Sequence, residues 1–131
     1  AEHSDGMGAM KEIIAGNPNL LKDAKVKEWH AAIRKGGETA FKTTMEVILA
    51  FTEGKVPAVV LDRTFQQTVW DDYIEIADRY NEPGRFTAMI GYEWTSLDRG
   101  RNLHRNVIFR DNGDRASQVE HDGDPGASRQ H

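Results

Sequence analysis

Cysteine is absent from the 131-residue chain. That excludes disulfide scaffolds, thiolate metal sites and Cys–His catalysis. No run of about 18 apolar residues occurs, so no transmembrane helix is expected. No signal-peptide pattern opens the sequence, and a cytoplasmic location is expected. Basic charge is not in excess: 17 Lys and Arg stand against 21 Asp and Glu, a formal charge of −4. A general nucleic-acid binder would need a basic face, so that class is excluded. Gly6-Met7-Gly8 lacks both a preceding strand and the rest of a phosphate-cradling loop, and no nucleophile elbow is present. Apolar residues are also somewhat sparse, 38%, with a mean hydropathy of −0.66.

One segment accounts for much of that sparseness. Residues 111–131, DNGDRASQVEHDGDPGASRQH, hold a single large apolar residue, Val119. Such a stretch cannot offset its ordering entropy by burial. It reads as a polar tail, ordered only where it leans on a body or a partner, behind a single domain over 1–110.

What is present is first helical. Met7, Met10, Ile13 and Ile14 share a helical face that ends at Gly16-Asn17-Pro18. Val26, Trp29 and Ile33 give a second helix, stopped by Gly36-Gly37. Phe41, Met45, Ile48, Leu49 and Phe51 give a third, from about Glu38 to Glu53, with Gly54 just past its end. Phe65, Val69, Tyr73, Ile76 and Tyr80 give a fourth that begins near Asp62 or Arg63 and stops before Pro83-Gly84. The three Trp residues read as core.

The period then changes. Phe86–Trp94 is β-branched, aromatic and apolar, and Asn102–Arg110 alternates, with Leu103, Val107 and Phe109 opposite His104, Asn106 and Ile108. These read as two strands joined by a loop from Thr95 to Arg101, too short for a parallel crossover and suited to an antiparallel hairpin. The fold class is α+β, about four helices followed by a hairpin. Two strands alone are marginal, so helices or a second chain must cover them.

The hairpin brings Glu93 and His104 to one end of the sheet. Imidazole nitrogen with carboxylate oxygen suits Zn, Mn or Fe. Equally, Glu93 can be a surface acid and His104 a half-buried imidazole held by a backbone carbonyl. Glu2, His3 and Asp5 are a second concentration of ligand types, or a solvated terminus. Arg85, Arg99, Arg101, Arg105 and Arg110 outnumber Glu93 and Asp98 over residues 83–110. Arg99, Arg101 and Arg105 are candidates for holding a phosphate or carboxylate. A solvated basic loop is the plainer reading.

The string RYNEPGRFTAMIGYEWTS over residues 79–96, followed by NLHRNVIFRD over 102–111, closely resembles a bacterial domain family of unknown function. That family is similar to the PHP (polymerase and histidinol phosphatase) metal-dependent hydrolases. The resemblance covers most of residues 1–119 and is most specific in its second half. It implies that the strand ending Gly91-Tyr92-Glu93 supplies a metal-binding carboxylate, Glu93. It implies that His104 on the next strand is a ligand, and that His3, in the pair Glu2-His3, is another. The family's His-x-His belongs upstream of His3, and its later His and Asp-x-His ligands beyond residue 119. The chain is therefore expected to be a middle portion of a PHP-like (β/α) barrel.

Three ligands suffice for one open ion site, not for a cluster of several ions. Bare strand edges and an uncovered apolar face favour self-association. The leading expectation is a catalytically incomplete PHP-like fragment that forms a homo-oligomer, most simply a dimer. A metal-dependent phosphoesterase completed across subunits is the first alternative. An anion- or protein-binding module built on the arginine-rich loop is the second. Neither nucleic acid nor membrane is an expected partner.

Overall fold

The computed structural model describes residues 3–4, 6–98 and 101–118. Among them are four longer helices, α1 (Ala9–Ala15), α2 (Ala24–Ile33), α3 (Gly37–Thr52) and α4 (Arg63–Tyr80). The strands β1 (Gly91–Asp98) and β2 (Arg101–Ile108) follow, then a one-turn helix, α5 (Gly113–Ala116). The fold is α+β, as the change of period implied. No helix among the described residues is long and apolar enough to cross a membrane. The chain divides into two compact units: residues 8–65, and the described residues among 1–7 and 66–131.

The unit formed by residues 8–65 is helical. Asp23 caps α2, its Oδ1 accepting from the backbone N–H of Lys25 at 2.8 Å and of Val26 at 3.1 Å. Those amides lack partners within the helix, so the cap offsets a cost every helix start carries. Gly16 ends α1 with φ of 79°, a left-handed conformation that disfavours a side chain. The His30 ring lies where a Cβ on Gly16 would project, and His30 Nδ1 donates to the Ile13 carbonyl at 2.8 Å. Ile13, Leu20, Val26, Trp29, Val47 and Val60 form the buried core of this unit.

The apolar repeat that marks α3 in the sequence is not its buried face. Thr43 and Val47 are buried, with Ala50 and Phe51 partly so, whereas Phe41, Met45, Ile48 and Leu49 are exposed. Thr43 tolerates burial because its hydroxyl donates to the Thr39 carbonyl at 2.9 Å, one turn back. Met7 departs from the α1 face as well. It lies before α1 and packs in the core of the other unit.

That second core gathers Met7, Trp70, Ile74, Ile90 and Ala116, with Tyr73, Tyr92 and Phe109 against it. Trp70 stacks on Tyr73 at 5.7 Å between ring centroids and meets Tyr92 edge-on at 5.9 Å. Its indole N–H donates to the Ala116 carbonyl at 3.2 Å, which joins α4 to α5. Asp78 makes a second tie, accepting from the Gly113 amide at 2.9 Å. Residues 113–116 thus belong to a helix although their composition reads as tail; residues 119–131 lie outside the described residues.

The strands are displaced from their expected positions. The first was expected over 86–94 and starts at Gly91; residues 95–98, expected in the loop, continue it. Phe86 is engaged elsewhere, exchanging backbone hydrogen bonds of 2.9 Å with Glu82 across a tight turn. The ladder runs from Gly91 paired with Ile108 to Asp98 paired with Arg101.

Candidate metal centre

Alternation along this ladder sorts the side chains. Tyr92 and Val107 share one face, and Tyr92 packs on the Trp70 core. Glu93, His104 and Asn106 share the other face. Glu93 pairs with Asn106 and His104 with Thr95, so Glu93 and His104 are diagonal neighbours in mid-strand, not at the strand ends. The His104 Nδ1 and Glu93 Oε1 atoms are 2.6 Å apart, a hydrogen bond in which the ring nitrogen donates.

His3 arrives from the opposite edge of β1. It forms a parallel bridge with Glu93, and the Ser4 amide donates to the Glu93 carbonyl at 2.8 Å. Met7, buried a few residues later, anchors this segment. Three neighbouring stretches of backbone therefore present His3, Glu93 and His104 together. The imidazoles of His3 and His104 meet edge-on, 5.1 Å between centroids. One ligand atom from each of the three residues lies within 4.8 Å of the other two. Glu93 is half-buried, while both histidines are exposed.

The donor chemistry fits a divalent transition metal. Two imidazoles and one carboxylate are a ligand set of zinc hydrolases and of open iron sites. Ligands bound at about 2.0–2.2 Å stand roughly 3–3.5 Å apart. A separation of 4.8 Å must shrink by roughly 1.3–1.8 Å, and the 2.6 Å hydrogen bond must lengthen. Both histidines are exposed, and rotation about their side-chain bonds is the movement such a change requires.

Of the residues expected to hold an anion, Arg105 does not join this cluster. Arg105 pairs with Trp94 on the opposite sheet face, its guanidinium 5.6 Å above the indole ring, a cation–π contact. Arg101 opens β2. Glu2, Asp5 and Arg99 lie outside the described residues. Reading the sequence missed the route by which His3 arrives: no periodicity marks a two-residue bridge. It also missed the partnership of Trp94 with Arg105, whose only trace is their spacing across the hairpin.

The model of one family, described as "Protein of unknown function (DUF3604)", matches residues 1–126. Comparison with curated proteins and comparison with solved structures each gave no match.

Proposed function

Given that the chain belongs to this family of unknown function, we propose that it binds one divalent transition-metal ion, Zn, Mn or Fe, between His3, Glu93 and His104. The observation that carries this is the convergence of three ligand types from three adjacent backbone segments onto one sheet face. Glu93 is the central ligand, braced by the ladder on one side and by the Ser4 amide on the other. His104 is held in orientation by the Glu93 carboxylate, and His3 closes the third position.

The likeness of Gly91-Tyr92-Glu93 and His104 to PHP hydrolase motifs supports reading the site as one portion of a hydrolytic centre. A bound ion would lower the pKa of a coordinated water and so supply a nucleophile near neutral pH. The residues themselves bind and orient; Arg105, a cation expected to hold an anion, lies on the opposite sheet face. The reading is therefore of an ion-binding, catalytically incomplete PHP-like unit of the cytoplasm. Self-association is part of this reading, because Phe41, Met89 and Ile108 remain exposed.

The test is metal content after loading with zinc and exhaustive dialysis, read by elemental analysis. About one equivalent per chain is expected, and markedly less in a His104→Ala variant that keeps its helical circular dichroism. A folded wild-type chain that retains no zinc overturns the reading.

A further inference from the structure

Asn106 stands directly across the ladder from Glu93. The phase of the ladder makes this a close pair. The Phe109 amide donates to the Ile90 carbonyl at 2.9 Å, so Ile90 and Phe109 form a hydrogen-bonded pair just before the first ladder step. Pair types alternate along an antiparallel ladder, which makes Glu93 and Asn106 a non-hydrogen-bonded pair. The Glu93 carbonyl agrees, since it is turned to the opposite edge and accepts from the Ser4 amide. Side chains in such a pair stand closest together, with Cβ atoms about 4.5–5.5 Å apart. Asn106 is exposed, on the face that carries His104 and Glu93, and among the described residues its carboxamide makes no hydrogen bond.

We propose that Asn106 orients a small oxyanion at the ion's open position, its amide N–H donating to the oxygen that the ion does not hold. This rests on the reading of His3, Glu93 and His104 as ligands and adds to that site a residue that orients what the ion binds. Three protein ligands leave a tetrahedral ion one position for an outside group. Two neutral imidazoles and one carboxylate leave a divalent ion with a net single positive charge, which attracts an anion. A carboxamide is not among the usual zinc ligands, but it carries two donors and no charge. It therefore suits the second oxygen of an anion whose first oxygen is on the ion. An ionised acid at position 106 would cancel the ion's charge and offer no donor.

The test uses cobalt(II) as the ion, because its visible bands respond to a new ligand where zinc gives no signal, and acetate as the oxyanion. Acetate is expected to shift the bands of the cobalt-loaded wild-type chain. Asn106→Ala and Asn106→Asp should take up cobalt as the wild type does, with unchanged circular dichroism. Both should bind acetate at least about tenfold more weakly, the loss expected for one hydrogen bond to a charged group. Acetate that binds all three chains equally, or fails to bind the loaded wild type, overturns the role of Asn106 and leaves the ion site standing. Loss of cobalt in Asn106→Ala comparable to that in His104→Ala also overturns it, since Asn106 would then support the ion itself. A folded wild-type chain that takes up no cobalt overturns the ion reading and this inference together.

Discussion

His104 and Glu93 occupy a diagonal of the hairpin, with Nδ1 and Oε1 2.6 Å apart on the face turned away from the Trp70 core. The diagonal matters because it keeps both groups on one face while leaving the directly opposed positions to Thr95 and Asn106. A shift of register by one residue would send one partner to the other face and dissolve the pair. The chemistry of the cluster therefore depends on the strand pairing beneath it.

Gly91 is where that dependence can be tested. A Cβ built there would come within 2.6 Å of the Val107 carbonyl oxygen on the paired strand. Gly91→Ala should therefore destabilise the unit by about 1–3 kcal/mol, the usual cost of overpacking. It should also weaken zinc binding although no ligand is touched. Urea denaturation followed by Trp fluorescence, with zinc titration of the same sample, measures both.

Ion binding should stabilise the fold. A ligand held only by the folded state adds about 2.7 kcal/mol at a concentration 100 times its dissociation constant. Zinc should raise the unfolding midpoint of the wild-type chain, and chelation should reverse the rise. His3→Ala should keep the metal-free midpoint and lose most of the increment, since His3 is exposed, its bridge to Glu93 is made by the backbone, and its imidazole is the ligand removed. Differential scanning calorimetry distinguishes these outcomes.

Acid should loosen α2 from α3. Lys25 Nζ lies 2.7 Å from Glu46 Oε1, and the Trp29 indole N–H donates to the same oxygen at 3.0 Å. The hydrogen bond from Lys25, then that from Trp29, holds the Glu46 carboxyl below its ordinary value. The folded state favours the ionised form. Its stabilisation is complete above the unfolded-state value of about 4.3 and is lost as pH falls through the lower, folded value. The pair is solvent-exposed, so the effect is about 0.2–1 kcal/mol. Glu46→Gln should be less stable than wild type by that amount at pH 7 and equal to it once Glu46 is protonated. Urea unfolding across the acid range tests the convergence.

The order of the elements was legible because helix and strand periods differ, and because Gly16, Gly36-Gly37 and Pro83-Gly84 punctuate the chain. The phase of α3 was not legible. Hydropathy favours Phe41 and Leu49 for the interior, but the fold buries Thr43, whose hydroxyl is satisfied within its own helix. Strand limits failed for a related reason. Thr95–Asp98 carries little apolar signal, yet its backbone pairs with β2; Phe86 to Ile90 carries much, yet the Glu82–Phe86 turn precedes the ladder. Glu93 and His104 emerged because both lie on the hairpin, whatever its exact limits. That His3 joins them was implied only by family resemblance, since its neighbour is 90 residues distant in sequence.

Catalysis should be slight. Metal-assisted hydrolysis needs a fixed ion, an activated water and a positioned substrate. Arg105, one of the three arginines expected to hold an anion, pairs with Trp94 on the opposite face. With Mn or Zn and p-nitrophenyl phosphate, turnover should match the metal-only background. Turnover above it that vanishes in both Glu93→Gln and His104→Ala would show a complete active site.

The central claim is that one ion is held by His3, Glu93 and His104 together. X-ray absorption at the zinc edge of the loaded protein tests it most directly. The account predicts a first shell of nitrogen and oxygen at about 2.0–2.2 Å, with outer-shell scattering from two imidazoles in the wild type and from one in His104→Ala. His104→Ala should also weaken zinc by at least 10–100-fold, the loss that follows even from removing an outer-shell partner. Scattering without imidazole, or a spectrum unchanged by His104→Ala, would contradict it.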